Sequence, residues 1–161
     1  MNAEAALGRI PGFAGATLLV QLSDGPTNAS FLVERTSEKF VLRLDKPETG
    51  KLGLDRGNEK HVSAAIAAAG LGPEYLYFDP HEGSCLRPWL TGQSWSASDL
   101  QEPRNLERLA ILLRKLHSLQ AVGKPFDPLA AAHRYAAAVG TEQAARLVNR
   151  AADAIGAGQG G

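Results

Sequence analysis

Three stretches near the start of the chain alternate apolar and polar residues at the period of a β-strand: "ATLLVQLS" (16–23), "SFLVER" (30–35) and "KFVLRLD" (39–45). They are short, rich in β-branched and aromatic residues, and separated by turn residues, so the pattern predicts a three-stranded antiparallel meander. The second connection, "TSEK", is a polar hairpin, whereas the first carries Asp24, Gly25, Pro26, Thr27 and Asn28 and is longer than a tight turn needs. After "KPETGKLGLD", which reads as a linker, the alanine-rich stretch 56–69 predicts a helix stopped by Gly70, with Pro73 beyond. "EYLYFDP" and "GSCLRPWL" then read as two more strands around an Asp-Pro-His-Glu-Gly turn. The order β-β-β-α-β-β implies an α+β fold, a five-stranded antiparallel sheet with one helix. In the following loop Ser98 or Asp99 is placed to cap a short turn, and 105–119 has the clearest helical period, with Leu106, Leu109, Ala110, Leu113 and Leu116 on one stripe. "DPLAAAHRYAAAV" and "TEQAARLVNRAADAI" predict two further helices, and the glycine-rich 156–161 predicts a flexible tail.

Composition narrows the partners. Lys plus Arg and Asp plus Glu both number 17 in 161 residues, so no net charge favours nucleic acid or an anionic membrane. No stretch approaches the roughly eighteen apolar residues of a membrane span, and the N-terminus lacks a basic start before an apolar core, which points to a cytoplasmic protein. Cys85 is alone, which excludes an internal disulfide framework, and its apolar neighbours suit a buried thiol. The four histidines are scattered without the spacing of metal ligands.

Strand alternation puts Phe40, Leu42 and Leu44 on one face of the third strand and Val41, Arg43 and Asp45 on the other. Glu59 precedes Val62 by three residues and Ile66 by seven, so it shares the helix face that would pack on the sheet. An inward carboxylate needs a partner, and Arg43 is the cation a sheet could offer it. The alternative is an Arg43 that snorkels to solvent and a Glu59 exposed in the first helical turn. The first loop likewise has two readings, a plain turn or a cover for a phosphate chain, and its single glycine does not decide between them. His117 sits at the edge of an apolar stripe and reads as a packing residue, Trp89 and Trp95 as core or lid aromatics, and no nucleophile–base constellation is present.

Taken in order, "LSDGPTNASFLVE", "KFVLRLDKP", "LDRGNEKHVSAAIAAAGLGPEYLYFDP", "CLRPWLTGQSW" and "LERLAILLRKLHSL" resemble the choline/ethanolamine kinase and aminoglycoside phosphotransferase family, over about 15–120. The resemblance implies a protein-kinase-like fold, with an N-terminal lobe at 1–90 followed by a hinge and the first helices of a helical lobe at 91–155. It implies ATP with Mg as cofactors, and a nucleotide and a small-molecule alcohol, such as choline or another amino alcohol, as partners. Ser23, Asp24, Gly25, Thr27 and Asn28 would belong to a loop, 23–30, covering the phosphates. Arg43 would contact the phosphates with Glu59 as its helix partner, and Leu86 and Arg87 would lie in a hinge at 85–89 whose backbone holds the adenine.

Two departures from the family pattern stand out. Asp24 replaces a glycine found in many relatives, and neither an H-x-D-x-x-x-x-N loop nor the later acidic motif for magnesium occurs in the sequence. The expectation is therefore a truncated kinase, inactive alone, whose uncovered apolar stripe promotes self-association. A non-catalytic nucleotide-binding or regulatory pseudokinase module is the alternative, and an ordinary α+β scaffold a third.

Overall fold

The computed structural model of the protein describes residues 2–158. In chain order the elements are α1 (Ala3–Arg9), β1 (Thr17–Asp24), β2 (Asn28–Arg35), β3 (Glu38–Asp45), a 3-10 segment (Pro47–Leu52), α2 (Arg56–Ala68), β4 (Tyr77–Asp79), β5 (Ser84–Pro88), a 3-10 turn (Asp99–Gln101), α3 (Pro103–His117), α4 (Pro128–Val139) and α5 (Glu142–Gly158). They fall into two compact units, one formed by Met1–Lys46 with Asp55–Gly123 and the other by Pro47–Leu54 with Lys124–Gly161.

The first unit holds the expected five-stranded antiparallel sheet, in the order β1-β2-β3-β5-β4. One sheet face is closed by α1 and the turn after it. Leu7, Ile10 and Phe13 pack there with Val33, Leu42 and Leu86, the last three completely buried. Phe13 meets Phe40 edge-on at 4.9 Å between ring centroids, and the Arg35 guanidinium lies 4.2 Å over the Phe13 ring while donating to the Gly12 carbonyl. The helix α1 was not among the sequence expectations. It is only seven residues long, capped by the Asn2 side chain accepting from the Glu4 N–H at 2.9 Å, and its order comes from burial rather than propensity.

Turn chemistry shapes the two hairpins differently. Between β2 and β3 the pair Thr36 and Ser37 take positive φ, 51° and 67°, giving a two-residue connection whose twist matches the strands. Between β1 and β2 the connection is tighter than its sequence suggests. The strands run on to Asp24 and Asn28, only 25–27 lie between them, and the Gly25 N–H donates to the Asn28 carbonyl at 2.9 Å. The apparently surplus residues are taken up as strand, while two register shifts in β1 bend this edge strand.

α2 is capped by Asp55, whose side chain accepts from the Asn58 N–H, and ends where Gly70 turns to φ 68°. There the Gly70 N–H donates to Ala67 and the Leu71 N–H to Ile66, the paired bonds of a Schellman stop. α3 starts two residues before the expected 105 because Pro103 occupies its first turn, where no N–H is needed. Its apolar stripe is present but uncovered: no residue of α3 is buried, and Leu106, Leu113 and Leu116 are each 39–49% exposed.

In the second unit α4 is capped by Asp127, turns at Gly140 (φ 69°) and packs against α5. The 3-10 segment, read from sequence as linker, packs on α4, and Thr49 and Ala131 are both buried. Helix α5 continues to Gly158, into the stretch expected as a flexible tail, and 159–161 lie outside the described residues. Among the described residues no helix is long and apolar enough to cross a membrane.

Candidate functional site

The sheet face opposite α1 carries the polar residues of β3. Alternation sends Phe40, Leu42 and Leu44 into the core and turns Arg43 and Asp45 the other way, toward the first turn of α2. There Arg43 Nη1 donates to Glu59 Oε1 at 2.6 Å, so of the two readings left open by the sequence the pair is the one that forms. The pair is not the simple fork that two residues alone would make. Glu59 gives its second oxygen, Oε2, to Arg56 Nη1 at 2.6 Å, and Arg56 in turn places Nε and Nη2 on the two oxygens of Asp45 at 2.6 and 2.7 Å. The four side chains are 10–24% exposed.

Two cations and two carboxylates in a half-buried cluster support one another's charged forms. Burial works against the charge of Glu59, but the hydrogen bonds from Arg43 and then Arg56 override it and hold the carboxyl below its usual range. Burial opposes the charge of Arg43 as well, and the bond to Glu59 again wins, keeping the guanidinium firmly protonated. Arg43 Nε is buried without a hydrogen-bond partner. Next to it across the ladder, Cys85 has its thiol pushed up by burial and is 2% exposed, an inert neighbour.

Register joins part of the expected loop to this cluster. Ser23 pairs with Ser30, Ser30 with Arg43, and Arg43 with Cys85, making one row across four strands, while Asn28 pairs with Asp45. At the turn, the Asn28 amide donates to Thr27 Oγ1 at 3.0 Å and the Thr27 carbonyl accepts from the Lys46 N–H at 2.9 Å. Asp24, whose negative charge is the departure noted in the sequence, has its carboxylate on Lys46 Nζ at 2.6 Å. At Gly25 an added Cβ would meet the Asn28 carbonyl at an ordinary 3.5 Å, so this glycine is not demanded by space or by φ.

Leu86 and Arg87 are placed apart from the cluster. Leu86 is completely buried on the opposite face against the α1 core, and its carbonyl accepts from the Leu76 N–H, because β5 is an inner strand paired on both sides. Its side chain thus faces the α1 core, and only its backbone is placed for the hinge contact expected at 85–89. Arg87 instead lines a cavity of about 180 Å³ with Val62, Ile66, Pro73 and Tyr75, beside α2. Arg56, Asp45 and Lys46 were missed as site residues. Spacing could have found two of them: Arg56 lies one helical turn before Glu59, and Asp45 shares the strand face of Arg43.

Residues 19–152 match the sequence profile of the choline/ethanolamine kinases. No curated protein sequence gives a significant match. Among solved structures, a choline/ethanolamine kinase family protein from Mesorhizobium loti is 29% identical, with a TM-score of 0.59 over 85% of this chain and 44% of its own. Choline kinase LicA from Streptococcus pneumoniae, 19% identical, superposes with a TM-score of 0.61 over 74% of this chain and 42% of its own. An aminoglycoside phosphotransferase solved with AMP-PNP and hygromycin B, 22% identical, gives 0.53 over 74% and 40%. The chain thus spans less than half the length of each of these proteins. With the profile covering most of its length and a protein-kinase-like α+β fold shared with these structures, the chain belongs to the choline/ethanolamine kinase family.

Proposed function

We propose that the chain supplies the ATP-binding side of a small-molecule kinase that acts in the cytosol. The kinase transfers a phosphoryl group to the hydroxyl of choline, ethanolamine or a related amino alcohol. The observation that carries this reading is the Arg43–Glu59 pair, a guanidinium held by a helix carboxylate on a sheet of this topology. The residues suit a nucleotide's phosphates. Arg43 stays charged and commits a single Nη1 bond to Glu59, while Ser23, Thr27 and Asn28 carry hydroxyl and amide donors along the adjoining hairpin. ATP, when bound, supplies the transferable phosphoryl group; the role of these residues is to orient and neutralise its phosphate chain. In this reading the adenine edge lies beyond the buried Leu86, where β5 ends at Pro88 and Trp89 and Leu90 become exposed.

The residues present do not fit a magnesium site. The sequence has no H-x-D-x-x-x-x-N loop, and among the described residues no group of three or more His, Cys, Asp or Glu side chains is arranged to hold a metal. By itself the 161-residue chain therefore binds nucleotide without transferring phosphate.

Calorimetric titration with ATP, paired with an ADP-release assay in the presence of choline or ethanolamine, tests both halves. The expected result is saturable ATP binding that weakens at least tenfold in Arg43→Ala, with no turnover. Binding indifferent to Arg43→Ala would overturn the site, and turnover by the chain alone would overturn its inactivity. A non-catalytic nucleotide-binding module is the second reading, favoured by an ion cluster that is complete within this chain although the catalytic acids are lacking. It is supported if ATP binding alone raises the melting temperature of the chain.

A further inference from the structure

A carboxylate offered to one arginine tends to take it fork to fork, with both oxygens on the same guanidinium. Glu59 does otherwise, since Oε1 accepts from Arg43 and Oε2 from Arg56. Arg43 thereby commits only Nη1, and among the described residues its Nη2 takes part in no hydrogen bond.

Arg56 can hold that second oxygen because it is itself anchored. Its Nε and Nη2 lie on the two oxygens of Asp45, the last residue of β3. Asp45 is in turn fixed by its own N–H, which donates to the Gly83 carbonyl at 2.8 Å. Gly83, at φ 62°, sits so close that an added Cβ would come within 2.6 Å of the Asp45 Cβ. The end of β3, the β4–β5 turn and the first turn of α2 are thus locked around one guanidinium.

We infer that Arg56, anchored on Asp45, is a positioning residue for phosphate recognition. By occupying Oε2 of Glu59 it prevents a two-oxygen grip on Arg43 and keeps Arg43 Nη2 available to a phosphate oxygen. This rests on the reading of Arg43 as the phosphate contact given above. Without Arg56, Glu59 turns both oxygens onto Arg43 and the free amino group is lost to the ligand, although every residue assigned to touch ATP is still present. A lysine at 56 restores the charge but cannot span Asp45 and Glu59 together.

The test has two arms. Nitrogen NMR of the arginine guanidinium groups, in the ligand-free chain, reads Arg43 directly. In Arg56→Gln, and in Asp45→Asn as a second variant that keeps both arginines, Arg43 Nη2 protons should exchange with water at least fivefold more slowly than in the parent. Unchanged Arg43 exchange in either folded variant overturns the inference. In the second arm, titrations with ATP and with adenosine should show ATP affinity falling at least fivefold in Arg56→Gln with adenosine affinity unchanged, and no recovery in Arg56→Lys. Full recovery by lysine, or equal losses for both ligands, would mean that charge or stability alone is at work and overturns the positioning role. If the parent binds no ATP, or Arg43→Ala binds it equally well, the nucleotide reading fails while the NMR arm still decides the role of Arg56.

Discussion

Glu59 is the residue on which the site turns, because two arginines from different elements meet on its carboxylate. Burial alone would raise its pKa, but the bonds from Arg43 and Arg56 bring it below the ordinary carboxyl range. A carboxyl whose folded pKa is depressed adds stability that is fully present above its unfolded value of about 4.3 and fades as pH falls through the folded one. Acidification from neutral pH to about 3 should therefore lower the urea midpoint of the parent chain more than that of Glu59→Gln, as followed by circular dichroism. Equal acid losses in the two proteins would mean that the cluster contributes nothing through this carboxyl. Asp24 shows the opposite situation: its ion pair with Lys46 is largely solvated, and such surface pairs add little to stability.

At the level of elements, the strands and α2 were legible because two periods, 2.0 and 3.6, recur between recognisable stops. The same arithmetic reached Arg43 and Glu59, since a mid-strand cation and an inward helix carboxylate leave few other partners. Arg56 and Asp45 escaped it because each lies at an element's end, where charged residues ordinarily read as solvated. The hairpin at 25–27 was misread in length because turn residues can also serve as strand ends. α1 could not be read at all, as two turns give too few positions for a period. Its weight is nevertheless considerable, for Phe13 just beyond it seals Phe40 and carries the Arg35 guanidinium. Phe13→Ala should cost about 3–5 kcal/mol, the range for emptying a buried phenylalanine site, measured as a fall in the urea midpoint. A loss under about 1 kcal/mol would show that α1 is dispensable to the sheet.

For the molecule as a whole, the uncovered leucines of α3 are the most consequential surface feature. Contiguous exposed apolar side chains favour association. Light scattering should give a mass that rises with concentration, and Leu106→Glu combined with Leu113→Glu should abolish the rise and reduce binding of a hydrophobic dye. A parent chain that stays monomeric and binds no dye would contradict this.

The second unit joins distant parts of the chain, the 3-10 segment Pro47–Leu52 and the much later α4 on which it packs. During synthesis the segment emerges long before α4, and at about 5–20 residues per second the wait is on the order of 4–15 s. For that interval Thr49 has no α4 to bury it, so this stretch is where a nascent chain stays open to proteases and chaperones although the five-stranded sheet, complete by Pro88, can already close.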